Sequence, residues 1–158
     1  MITLNRTVLI TAGVGLFAAS LASNTVWAVA LYTVTDLGTL GGTQSYAYGI
    51  NASGQVVGDS YTAGNATHAF LYSGSTMTDL NPLGASESHA YSINASGQVT
   101  GDSVVGPTRH AFLYSGSTMI DLGSLGGTYS QAYGINSSGQ VVGHSGGWPG
   151  DPTRAFLY

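Results

Sequence analysis

The sequence predicts an all-β protein of short antiparallel sheets in tandem, and three observations carry the prediction. One phrase recurs: "HAFLY" at His68–Tyr72 and at His110–Tyr114, and "RAFLY" at Arg154–Tyr158. Its leucine falls at Leu71, Leu113 and Leu157, and Leu31 heads a matching "LYTVTDL", so the chain repeats in steps of 40, 42 and 44 residues. A period of this length suits propeller blades or paired-helix repeats. The units are dense in Gly, Ser, Thr, Val and Tyr and lack a sustained 3.6-residue apolar rhythm, which removes the helical option.

Within the middle unit, turn residues cut out four strands. "AYSIN" (Ala90–Asn94) and "QVTGDS" (Gln98–Ser103) flank Ala95-Ser96-Gly97, a tight hairpin with glycine available for the left-handed position. A looser loop over Val104–Arg109 leads into "HAFLY", and Ser115-Gly116-Ser117 turns the chain into "TMIDL" at Thr118–Leu122. One period therefore reads as a four-stranded antiparallel meander. A sheet with one wet face alternates apolar and polar residues. Here Ala69-Phe70-Leu71-Tyr72 and Val56-Val57 are apolar at both parities, so both faces need cover. Blades in a β-propeller-like array supply that cover, each sheet lying between two neighbours; a β-solenoid or other stacked-sheet array is the alternative.

The first thirty residues stand apart. Arg6, an apolar run from Val8 to Leu21 and Ala28-Val29-Ala30 read in that order as a secretory signal peptide, 1–30, with an uncleaved anchor as the alternative. The run is short for a membrane span, which takes about 20 apolar residues. The remainder, 31–158, divides into three repeats at about 31–70, 71–112 and 113–158. The chain has no cysteine, so an extracellular life would not rest on disulfides. It has three Lys and Arg in all, Arg6 among them, which leaves little to bind phosphate; nucleic acid and, after signal cleavage, membrane are not expected partners. Charged residues make up only 6% while apolar ones make up 43%, the reverse of a disordered composition.

The run "AYGINASGQVVGDS" followed by "HAFLYSGSTMTDL" and the linker "DLGTLGG" resembles the HAF repeat, a bacterial family of extracellular repeats named for its His-Ala-Phe signature. The resemblance covers Leu31–Tyr158 in three copies and implies secretion, a β-propeller-like fold and no established catalytic activity. The chain departs from the pattern at Asn81-Pro82-Leu83-Gly84, which replaces the Gly-Gly linker, and at Arg154, which replaces the signature histidine; the long array usual in the family is missing.

"LYTVTDL" lacks the Ala-Phe that should precede it, and "RAFLY" lacks the strand that should follow. The two ends are complementary parts of one blade. Three blades are too few for a ring of about four to eight. Self-association is therefore expected, as a closed ring of two chains or a fibre, the alternative being a piece of a longer array.

No catalytic constellation is legible. His68 and His110 occupy one repeated position, which suits a histidine hydrogen-bonding a neighbouring loop better than a shared metal site, and Arg154 cannot ligate in their place. Asp59 and Asp102, with His144 third, could line one mouth of a ring, but one carboxylate per repeat lacks the density of a calcium loop. Asp36, Asp79 and Asp121 read as linker caps. Asn51, Asn65, Asn94 and Asn136 open Asn-x-Ser/Thr triplets, and three of them fall in the repeated turn, where the side chain serves the backbone. Glu87 has no carboxylate partner nearby in sequence, and a glycosidase pair is not indicated. The unrepeated segments "SGGWPGD" and "ASESH" supply the candidate ligand-contacting residues Trp148, Asp151 and His89, with a glycan or cell surface as the ligand. No metal or cofactor is expected. The functional expectation is a secreted, noncatalytic β-repeat protein with a structural, adhesive or partner-binding role. Its alternatives are a carbohydrate-binding lectin or glycan-active propeller enzyme, and a fibre subunit.

Overall fold

The computed structural model describes residues 33–81, 84–147 and 152–158. The expected signal segment lies outside the described residues, and Thr33–Thr39 carry no strand. Leu37–Tyr158 form one compact unit. It contains eleven strands: β1 (Gly41–Ile50), β2 (Val56–Thr62), β3 (Thr67–Ser73), β4 (Thr76–Asp79), β5 (Glu87–Ile93), β6 (Val99–Val105), β7 (Thr108–Ser115), β8 (Thr118–Gly123), β9 (Tyr129–Ile135), β10 (Val141–Gly146) and β11 (Arg154–Leu157). Groups β1–β4 and β5–β8 are antiparallel meanders, and β9–β11 repeat the first three strands.

All four strands expected for the middle period are present, and the pairing is tighter than expected between β6 and β7. The segment read as a loose loop over Val104–Arg109 is largely strand, with Val104 opposite Arg109 and Val105 opposite Thr108 across a Gly106-Pro107 turn. The fold is all-β, as expected. It is not a closed ring: the strands form one open sheet running β1-β2-β3-β5-β6-β7-β9-β10-β11, with β4 on β3 and β8 on β7. Successive groups share only a single parallel pair each, Thr67 with Glu87 and Arg109 with Tyr129. Most of their contact is face to face.

That contact is where the core sits. At the first junction Val57, Ala69, Leu71 and Leu80 meet Ala90, Ile93, Val99, Phe112, Tyr114 and Met119. At the second, Ala111, Leu113 and Leu122 meet Ala132, Ile135, Val141 and Phe156. The same sequence positions recur at both, which is why AFLY is apolar at both parities: Ala69 and Leu71 look to the following group, Phe112 and Tyr114 to the preceding one. Residues 57–60 of β2 and 99–103 of β6 are buried in unbroken runs, so neighbours of both parities are covered.

Polar bonds cross the same junctions. The Asn51 side-chain carbonyl accepts from the amides of Ser53 and Gln55, closing its own turn, while Nδ2 donates to Gln55 Oε1 at 2.8 Å and to the Asn94 backbone carbonyl at 3.0 Å. Asn94 repeats all four bonds and donates to the Asn136 carbonyl at 3.0 Å. The amides of Ala69 and Ala111 donate to Ser88 and Ser130 Oγ of the next group at 2.9 and 2.8 Å. An asparagine ladder and a serine ladder thus run alongside the apolar faces. Substituting Asn94 by alanine should cost about 2 kcal/mol, since it removes the bond from a buried side chain to the Asn136 carbonyl and undoes a turn. Asn136→Ala should cost about 1 kcal/mol less, because Asn136 is exposed and its Nδ2 donates to Gln140 alone. Urea unfolding of the two variants checks the difference.

Candidate functional site

The first strand of each group carries a serine-x-alanine-tyrosine phrase: Ser45 to Tyr48 in β1, Ser88 to Tyr91 in β5, and Ser130 to Tyr133 in β9. Ser88, Ala90, Ser130 and Ala132 are buried between groups. The tyrosines lie in a column along the junctions, with ring centroids 5.9 Å apart for Tyr48 and Tyr91 and 5.3 Å apart for Tyr91 and Tyr133. His89 stacks on Tyr91 at 6.1 Å with its plane tilted by only 4°, and His144 packs against Tyr129 and Tyr133.

Beside this column lies a cluster of charged side chains: Asp59, Glu87, Asp102 and Arg109. Asp102 on β6 is fully buried; Arg109 on β7 pairs with it through Nη1 and reaches Glu87 Oε2 through Nη2 at 2.8 Å. Gln131 of the third group donates from Nε2 to Asp102 Oδ1 at 3.0 Å. Burial pushes the Asp102 carboxyl up, but hydrogen bonds from His89 and Tyr91 and the charge of Arg109 outweigh it and hold the group below the ordinary carboxylate range. Asp59, at the same position one group earlier, is also buried, and its Oδ1 has no partner. Burial raises its carboxyl despite a hydrogen bond from Tyr48 and the proximity of His89. Burial, with Asp59 adding to it, pushes the Tyr48 phenol up to about 12.

His89 stands between these acids. Its Nδ1 lies 3.4 Å from Arg109 Nη1 and 3.5 Å from Asp102 Oδ2, and its Nε2 lies 3.6 Å from Glu87 Oε1. A neutral ring can accept from the guanidinium, whereas a protonated ring donates to the carboxylates. Burial lowers its pKa, but Asp102, Asp59 and Glu87 together raise it above the usual histidine value. Stability from this raised pKa is fully present below the unfolded value, about 6.5, and is lost as pH rises through the folded one. The unfolding free energy should therefore fall on going from pH 6 to alkaline pH, and His89→Gln should flatten that slope; denaturant titrations across the range check it.

Two carboxyls with pKa values pushed apart are the raw material of acid–base chemistry. Here both side chains are closed off from solvent. The open part of the region is a neighbouring cleft of about 490 Å³, lined by Glu87, Val104, Gly106, Pro107, Thr108, Arg109, Thr128, Tyr129, Gly147 and Thr153. It offers apolar walls, one aromatic ring and the outer side of the Glu87–Arg109 pair. Of the three residues singled out in the sequence, His89 joins the charged network next to this cleft, while Trp148 and Asp151 lie outside the described residues. Sequence reasoning missed Arg109 and its tie to Asp102. The available signal was rarity, since Arg109 is one of only three basic residues.

The repeated polar residues have local partners. His68 Nδ1 meets Asp79 Oδ2 at 2.8 Å, and His110 Nδ1 meets Asp121 Oδ2 at 3.0 Å. The other oxygens of these aspartates accept from the amides of Asn81 and Gly123. The repeated histidine thus pins the fourth strand of the first and second groups to the third strand. Among the described residues no group of three or more His, Asp or Glu is placed to hold a metal ion. No family model, no curated protein and no solved structure matches the chain.

Proposed function

We propose that the chain is a secreted, noncatalytic β-repeat protein of the HAF type that does structural or adhesive work through a rigid stacked surface. One observation carries this reading: at both junctions asparagine and serine side chains at equivalent positions join one repeat to the next, and at the second Gln131 adds a bond to Asp102. Face-to-face packing with a single parallel pair between groups favours blades of a propeller-like array, with a solenoid-like stack as the alternative. No cofactor is invoked, and with so few basic residues nucleic acid is not a partner. Export to the cell surface or beyond follows from the signal-like first thirty residues.

A second reading, a carbohydrate-binding protein, is favoured by the cleft, where the Tyr129 ring and the Arg109–Glu87 pair could engage a sugar face and its hydroxyls. Glycan-array binding and a panel of glycoside substrates separate the readings. A scaffold shows neither saturable binding nor hydrolysis. Binding lost in Tyr129→Ala establishes the lectin, and hydrolysis lost in Asp59→Asn or Asp102→Asn overturns the noncatalytic reading.

A further inference from the structure

The two ends of the stack expose the very positions that are buried inside it. On the side that faces forward along the chain, Val57 and Thr100 are both 0% exposed, whereas Val142, at the same place in the third group, is 50% exposed. Leu113 is 6% exposed and its equivalent Leu157 68%. On the backward side, Ile93 is 8% exposed and its equivalent Ile50 in the first group 69%. Each end is therefore one half of an interface that the molecule already makes twice within itself.

The fit extends to shape. Between the first two groups, the backbone of Tyr91 and Ser92 sits close over Gly49, with the Tyr91 carbonyl 3.1 Å from where a Cβ would be. Over Gly134, the equivalent glycine of the third group, lies instead a groove of about 280 Å³ lined by Ile135, Asn136, Gln140, Val142 and Leu157. The residues that would fill it by equivalence are Tyr48 and Gly49, and Tyr48 is 51% exposed.

The polar ladders end in the same complementary way. Asn51 and Asn94 each donate from Nδ2 to the backbone carbonyl of the next asparagine; continuing the ladder pairs Asn136 Nδ2 with the Asn51 carbonyl. The serine ladder continues by pairing the Ala155 amide with Ser45 Oγ, which already donates to the Gly38 carbonyl as Ser130 does to Gly123. Where the inner junctions set Asp59 near His89 and Asp102 against Gln131, the new one sets His144 against Tyr46, so no unpaired carboxylate is buried.

We infer that the occupant of each exposed end is a second copy of this chain, docked head to tail so that the β10–β11 face of one covers the β1 face of the next in the register of the internal junctions. The contact is heterologous, with different surfaces on the two sides. The inference rests on reading the chain as a stacking scaffold and names that scaffold's partner.

The test uses the full chain with one end blocked at a time. Ile50→Arg blocks the β1 end and Val142→Arg the β10–β11 end; both positions are exposed, so the fold should survive, which circular dichroism verifies. By light scattering, the wild-type chain should associate with rising concentration, and each variant alone should do so at least tenfold more weakly. An equimolar mixture of the two variants should give a discrete pair, since each retains the half that the other lacks. A wild-type chain that stays monomeric at high concentration overturns the inference, as does association undiminished in either variant or a mixture that does not pair. Those outcomes leave the noncatalytic reading standing, because that reading is decided by hydrolysis and glycan binding.

Discussion

Gly101→Ala is expected to destabilise the protein by more than about 3 kcal/mol, enough to leave much of it unfolded. The reason is a close approach at a bulge. The register of β5 against β6 slips between Ala90 and Ser92, and this brings the His89 carbonyl over Gly101. A Cβ built on Gly101 would lie closer to that oxygen than 3.0 Å, a spacing that real Cβ atoms essentially never show, and the obstacle is backbone. Neither strand can step aside, since β5 is packed against the first group and β6 is buried from Val99 to Ser103. Gly58 and Gly143 meet the same obstruction from Tyr46 and Gln131 in their own groups, so the repeated "VxG" phrase has a steric cause. Gly106→Ala is the control. It has a positive φ of 60° but open space around it, and its cost should be about 1 kcal/mol. Chemical denaturation of the pair reads the difference.

Arg109→Met is expected to cost about 3–5 kcal/mol, because it leaves the fully buried Asp102 without its main cation. The ion pair with Glu87 contributes little, since that carboxylate is substantially exposed. Adding Asp102→Asn to Arg109→Met should recover a good part of the loss, which separates the stranded charge from lost packing. Acid sensitivity supplies a second reading. The lowered pKa of Asp102 contributes stability above the unfolded carboxylate value, lost as pH falls through the folded one. Removing Arg109 raises the folded pKa, so the variant should lose less stability on acidification than the parent does.

Much of this fold was legible because the repeat compares the chain with itself. Three spaced copies of AFLY, of the Asn-x-Ser-Gly-Gln turn and of the "VxG" strand mark strand, turn and strand without reference to any other protein. Apolar residues at both parities showed that both faces are covered, as they are in β2 and β6. The single chain shows one open sheet, and Thr33–Thr39 carry no strand, because local pattern specifies a unit and its neighbour but not how many units complete an assembly. The charged network was legible only in part. Asp59, Asp102 and His89 drew attention singly, yet their association depends on which strand faces which across a junction. Arg109 was absorbed into an expected loop because Gly106-Pro107 punctuates the chain there, whereas the hairpin is tight enough to keep Arg109 paired with Val104 and aimed at Asp102.

Native-state hydrogen exchange, at a concentration where the chain is monomeric, tests most directly the claim that stacking between repeats is what stabilises the sheets. Amides of β6, covered on both sides, should exchange slowest and only by global unfolding, while those of β10 and β11, covered on one side, should exchange on the order of tenfold or more faster. Equal protection of the middle and final groups would contradict it, for each sheet would then be stable on its own hydrogen bonds whatever lay against its faces.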